Sequence, residues 1–152
     1  MDEFSLRWRW TDPKWNLLPS DVLASIQPLK VHKANELDTI LENLLKPIPL
    51  RIVGRTGTQL QSAVDKQVVE SFDTSGEQPG AYKWLCEVLP SPDGSAFISW
   101  DNDTAALVRL ATFIDYWDDF CYPLSADVAI LPFSGDWILY YWHEEVLYFW
   151  KR

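Results

Sequence analysis

Cysteine is scarce in this chain: 152 residues hold two, Cys86 and Cys121, far apart in sequence. There is no Cys-x-x-Cys pair and no Cys/His cluster, which argues against a structural zinc site and a disulfide framework. Both thiols are expected to be reduced and packed as small core hydrophobes, and no cofactor or metal is expected. Histidine is equally rare, with only His32 and His143. His-Glu-x-x-His is absent, so the zinc-protease reading fails. No apolar run reaches the roughly eighteen residues that a membrane-crossing helix needs. Met1-Asp2-Glu3-Phe4 shows no basic run ahead of an apolar one, as expected for a cytoplasmic chain without a secretory leader.

Basic residues are also few. Thirteen Lys and Arg stand against 22 Asp and Glu, a net charge of −9. Phosphates would be repelled, so nucleic acid and anionic membranes are excluded as expected partners. The deficit is uneven. Residues 1–83 carry ten bases and eleven acids, net −1, whereas residues 84–152 carry three bases and eleven acids, net −8. From Leu110 through Trp150 there is no Lys or Arg, yet these forty-one residues hold seven acids and thirteen aromatics.

What the chain has in abundance is aromatic surface: nine Trp, six Tyr and seven Phe. With 47% hydrophobic and 23% charged residues it reads as globular. Its length suits one domain, burying roughly 68–70% of the unfolded surface without disulfide or metal.

Periodicity places the elements. Phe4, Leu6, Trp8 and Trp10 alternate with Ser5, Arg7 and Arg9, the pattern of a half-buried strand. Ser20 can cap a short helix over 21–27, ended by Pro28. A longer helix is predicted over 33–46, with Leu37, Ile40, Leu41, Leu44 and Leu45 on one side and Pro47 as the stop. A short strand is predicted at 50–53 and a helix over 58–72, followed by a loop at 74–80. Pro90-Ser91-Pro92-Asp93-Gly94 predicts a hairpin between strands at 82–89 and 95–100. Asp103 is then expected to cap a helix over 104–120. Three strands close the chain, at 128–131, 137–142 and 146–151, with turns at Ser134-Gly135-Asp136 and His143-Glu144-Glu145. Partly segregated runs of helices and strands predict a single α+β domain over 1–152, an antiparallel sheet with helices packed on it.

Catalytic chemistry finds little purchase. Asp101-Asn102-Asp103 has the Asp-x-Asp form of some metal-nucleotide transferases, but it also reads as a helix N-cap. Asp115-Tyr116-Trp117-Asp118-Asp119 superficially inverts the aspartate-rich magnesium motif of prenyl-diphosphate enzymes, which need all-helical cavities this chain is too short to build. At the end of a long helix such acids oppose the helix dipole, which favours a partner-facing role. Gly54-Arg55-Thr56-Gly57-Thr58 lacks the Gly-Lys-Ser/Thr ending of a phosphate loop. With two histidines and no nucleophile elbow, no catalytic triad is assigned and the chain is not expected to be an enzyme.

The strand Trp137-Ile138-Leu139-Tyr140-Tyr141-Trp142 is apolar on both sides, as a strand covered on both faces would be. Some aromatics exposed among carboxylates would instead make an interface, because Trp and Tyr anchor protein contacts and clustered acids steer a basic partner. The candidate partner-binding residues are Asp115, Trp117, Asp118, Asp119, Asp136, Tyr141, Trp142, Glu144 and Glu145.

In size, charge, Trp/Asp richness and lack of a catalytic set, the chain resembles the small acidic bacterial immunity proteins that neutralise polymorphic or contact-dependent toxins. The resemblance is carried by Asp115-Tyr116-Trp117-Asp118-Asp119-Phe120 and by Ser134-Gly135-Asp136-Trp137 with Trp142-His143-Glu144-Glu145. It implies an inhibitor of a basic, nuclease-like toxin domain. Leu18-Pro19, Leu23, Ile26 and Pro28-Leu29 also resemble the start of an uncharacterised bacterial domain, which implies no activity. A metal-dependent enzyme using the Asp clusters and a carbohydrate-binding module using exposed Trp are the alternatives.

Overall fold

Strands apolar on both faces need cover on both, and helices on either side of one sheet provide it. The computed structural model describes residues 4–15, 17–45, 70–76, 78–122 and 127–151. Along the chain the elements are α1 (Trp8–Thr11), α2 (Ser20–Ser25), β1 (Gln27–Pro28), α3 (Val31–Leu45), β2 (Glu70–Asp73), α4 (Gln78–Val88), β3 (Ser95–Ser99), β4 (Ala105–Arg109), α5 (Leu110–Asp115), α6 (Trp117–Phe120), β5 (Val128–Pro132), β6 (Trp137–Trp142) and β7 (Val146–Lys151). The strands form one seven-stranded sheet in the order β1-β4-β3-β5-β6-β7-β2. Every pairing is antiparallel. This is the α+β architecture that the sequence predicts.

Strand alternation sorts β6 between the two faces. Trp137, Leu139 and Tyr141 join Ile98, Val108, Ile130 and Phe149 in the larger core, under Trp10, Leu85, Phe113, Trp117 and Phe120 from the helices. Ile138 and Tyr140 join Leu131 and Tyr148 on the opposite face, where α3 contributes Ala34, Leu37 and Leu41. The buried α3 residues follow helical spacing, but Ile40, expected among them, is exposed.

The meander β5-β6-β7 and its turns match the prediction closely. The first half departs from it. Phe4–Trp10 is no strand: Arg7 N donates to Phe4 O, Arg9 N to Leu6 O and Trp10 N to Arg7 O, each at 3.0 Å, winding the segment into α1. The alternation is fortuitous, for Trp10 is buried and Trp8 exposed. Residues 82–89 lie in or just beyond α4, where Ala81, Leu85 and Leu89 recur at four-residue spacing and are buried. Pro90–Gly94 thus links a helix to a strand. The true hairpin is β3-β4, closed around Asp101-Asn102-Asp103, where Trp100 N donates to Thr104 O at 3.0 Å. Asp103 therefore caps no helix; pairing with β3 overrides the helical reading of residues 104–109. Phe72 belongs to β2, not to a helix. The predicted strand at 50–53 and residues 58–69 of the predicted helix lie outside the described residues. Cys121 is buried, but Cys86 is exposed rather than a core hydrophobe.

Candidate functional site

A cleft of about 430 Å³ opens between the N-terminal segment and α6. Trp8, Arg9, Lys14 and Trp15 form one wall; Trp117, Asp118, Asp119, Cys121 and Tyr122 form the other; Thr74, Tyr141 and Glu145 complete it. Its N-terminal wall is held by Trp10, whose ring packs 5.7 Å from Phe4, 6.1 Å from Trp100 and 5.5 Å from Phe120. The Trp10 indole N–H donates to the Asp119 carbonyl at 3.1 Å, and the Trp100 indole N–H donates to the Phe120 carbonyl at 2.9 Å.

The acidic wall depends on a break in the helix. A continuous helix would place the acids at its C-terminal end, against the dipole. Instead the chain leaves helical geometry at Tyr116 (φ −127°, ψ 31°), and Asp118 and Asp119 fall in the first turn of α6. With only one turn there is no extended helix dipole for these acids to oppose, so the expected penalty does not apply. Glu145 approaches from the β6–β7 turn with φ 63°, a left-handed conformation uncommon outside glycine. Its carbonyl accepts the Thr74 N–H at 2.7 Å and the Thr74 hydroxyl at 2.8 Å, which ties β2 to the turn.

The electrostatics are mixed. Burial, reinforced by Asp118, pushes the Cys121 thiol well above its ordinary pKa. Burial, with Cys121 and Glu145 adding to it, also raises the Tyr141 phenol. On the opposite wall the Arg9 guanidinium lies 5.6 Å from the Trp8 ring centre and 5.8 Å from that of Tyr122. Trp15 stands across both rings, 5.6 Å from Trp8 at 64° and 5.2 Å from Tyr122 at 85°.

Five of the nine residues proposed from sequence meet in this cleft: Trp117, Asp118, Asp119, Tyr141 and Glu145. Trp117 and Tyr141 are buried, so they floor the cleft rather than project as anchors. The other four lie elsewhere. Asp115 is exposed at the end of α5, where its charge raises the Tyr82 phenol together with the stronger influence of Cys86. Asp136 precedes β6 and Glu144 follows it, so the six-residue strand holds them about 20 Å apart. Trp142 packs against the opposite face of the sheet from Tyr141, and its indole N–H is buried without a hydrogen-bond partner among the described residues. Sequence reasoning did not select Trp8, Arg9, Lys14, Trp15, Thr74 and Tyr122, and it assigned Cys121 to the core alone. A criterion built on missing bases could not select Arg9 or Lys14, and the false strand hid Trp8.

A second polar cluster sits beyond the cleft. Asp127 accepts the Tyr140 hydroxyl at 2.8 Å on one oxygen and the His143 backbone N–H at 3.1 Å on the other. That second oxygen also lies 2.7 Å from His143 Nδ1. Nε2 faces Glu144 at 3.6 Å. Among the described residues no three His, Cys, Asp or Glu are grouped to hold a metal ion. Asp101 and Asp103 serve the hairpin turn: Asp103 N donates to Asp101 Oδ1 at 3.0 Å, and Thr104 donates its hydroxyl to Asp103 at 3.0 Å. Among the described residues no helix is long and apolar enough to cross a membrane. Comparison of the chain with protein-family models, curated proteins and solved structures finds no match.

Proposed function

We propose that this protein is a non-enzymatic inhibitor of the immunity-protein kind, which neutralises a basic, nuclease-like toxin domain through its acidic aromatic surface. The observation that carries the reading is the convergence of Asp118, Asp119 and Glu145, from elements distant in sequence, on one aromatic-walled cleft. The net charge of −9 supports it, because an acidic inhibitor can stand in for the phosphates that a basic nuclease cleft attracts. Asp115, Asp136 and Glu144 lie outside the cleft and act at longer range, on association rate more than on affinity.

The test changes Asp118, Asp119, Glu144 and Glu145 together to Lys, confirms folding by circular dichroism, and measures, at two salt concentrations, binding to a basic nuclease-toxin domain recovered with the wild-type protein from the source cell. The expected result is a large, salt-dependent loss of association rate. A folded quadruple variant that binds like wild type at low salt overturns the reading. Stabilisation by a divalent cation, or a sugar-induced change in tryptophan fluorescence, would instead turn it toward the metal-dependent enzyme or the carbohydrate module.

A further inference from the structure

We propose that the cleft between α1 and α6 is the subsite for a single arginine side chain of the protein partner, with Trp8 and Trp15 as its specificity-determining wall. This rests on the reading of the protein as a binder of a basic partner and narrows it to one side chain.

Charge indicates the ligand's sign. The lining holds three carboxylates, Asp118, Asp119 and Glu145, against two cationic groups, Arg9 and Lys14. The lining therefore carries a net charge of −1, which favours a cationic group. A polyanion would add to the excess.

Size points to a small group. A volume of about 430 Å³ lies toward the lower end of the range for small-ligand sites, too little for a folded element.

Exposure gives an independent indication. Trp10, Trp100, Trp117 and Trp137 are buried, whereas Trp8 is 46% and Trp15 38% exposed. These two indoles pack against each other, and both line this cleft. Large aromatic rings left together at a concave, charged surface are the composition of an unfilled contact.

Chemistry selects arginine over lysine. A guanidinium is weakly hydrated, stacks on indole faces and carries five donors for carboxylates, whereas an ammonium is strongly hydrated and does not stack. The cleft already shows that its rings accept this group, because Arg9 lies over Trp8 and Tyr122 within 6 Å.

The experiment titrates the whole chain with N-acetyl-arginine amide and follows the indole N–H resonances by NMR. N-acetyl-lysine amide and inorganic phosphate serve as comparators. The arginine probe is expected to shift the Trp8 and Trp15 signals with a dissociation constant on the order of 1 mM, the range for so small a ligand, and the lysine probe to bind more weakly. Glu145→Gly relieves the left-handed backbone and keeps the carbonyl that Thr74 uses, so the fold is retained; it is expected to weaken arginine binding about tenfold. Shifts caused by phosphate and not by arginine, or no shift with either, overturn the proposal. With the toxin domain in hand, the outcomes separate. If the quadruple Lys variant loses binding while Trp15→Ala and Glu145→Gly bind like wild type, the arginine subsite falls and the acidic-inhibitor reading stands. If all of them bind like wild type, that reading falls as well.

Discussion

The indole N–H of Trp10 and the carbonyl of Asp119, 109 positions apart in sequence, meet at 3.1 Å. With the matching bond from Trp100 to Phe120 at 2.9 Å, it caps the end of α6 with two side chains. The last carbonyls of a helix have no partner within it, and burying them unpaired is costly. The bonds therefore do two jobs: they satisfy α6 and hold the two cleft walls at a set separation.

Trp10→Phe keeps an aromatic ring but removes the donor. It is expected to destabilise the fold by about 1–3 kcal/mol, the cost of a buried acceptor left unpaired. Urea unfolding measures this. Unchanged stability would mean that water replaces the indole and that the bond does not hold the wall.

The two thiols should differ sharply in reactivity. Cys86 is exposed on α4, whereas Cys121 is buried and its thiolate is disfavoured by burial and by Asp118. A disulfide reagent such as dithionitrobenzoate is expected to titrate one thiol in the native protein and both in denaturant. Rapid reaction of two native thiols would contradict the packing of Cys121 beneath the cleft.

Alkaline pH should weaken the fold. Cys121 and Tyr141 both have folded-state pKa values raised above the ordinary 9.0 and 10.0, chiefly by burial. Folding therefore excludes their ionised forms. The stability this represents is complete below the ordinary values and is lost as pH rises through them toward the folded-state values. The melting temperature is expected to fall above pH 9.0. Cys121→Ala combined with Tyr141→Phe should flatten that decline; a variant that loses stability just as steeply would assign the effect to other groups.

Asp127 gathers the Tyr140 hydroxyl and the His143 backbone N–H on one carboxylate, with the His143 ring nitrogen at 2.7 Å. Asp127→Ala leaves those donors without their acceptor and is expected to cost about 1–3 kcal/mol. Glu144→Ala removes only an exposed neighbour of His143 and should cost about 0–1 kcal/mol. Equal losses in denaturant titrations would show that the cluster does not brace the start of β5 against the β6–β7 turn.

The C-terminal meander was legible from sequence because its signals are local and agree: apolar runs of five or six residues, separated by short connections that hold Ser134-Gly135-Asp136 and His143-Glu144-Glu145. Ala105–Arg109 was not legible. Ala-Ala-Leu-Val-Arg suits a helix or a strand, and only the β3 edge lying beside it settles the choice. Phe4–Trp10 misled for the opposite reason. Its alternation is perfect, but among the described residues no strand pairs with it, and helical turns let Phe4 and Trp10 reach Trp100.

By itself the sequence determined the acidity, the aromatic excess and the α+β class, because composition and short-range periodicity are properties of the chain alone. Only the tertiary structure decided which acids share a site. Asp118, Asp119 and Glu145 come together while Asp136 and Glu144 are held at opposite ends of β6. It also decided that Trp8 and Trp15 face the cleft while Trp117 and Tyr141 lie beneath it. The physical reason is that burial of an aromatic ring depends on what packs across from it. Trp10, Trp117 and Tyr141 are buried in one core although Trp10 stands nearly the whole chain away in sequence, whereas Trp8, two residues from Trp10, stays exposed.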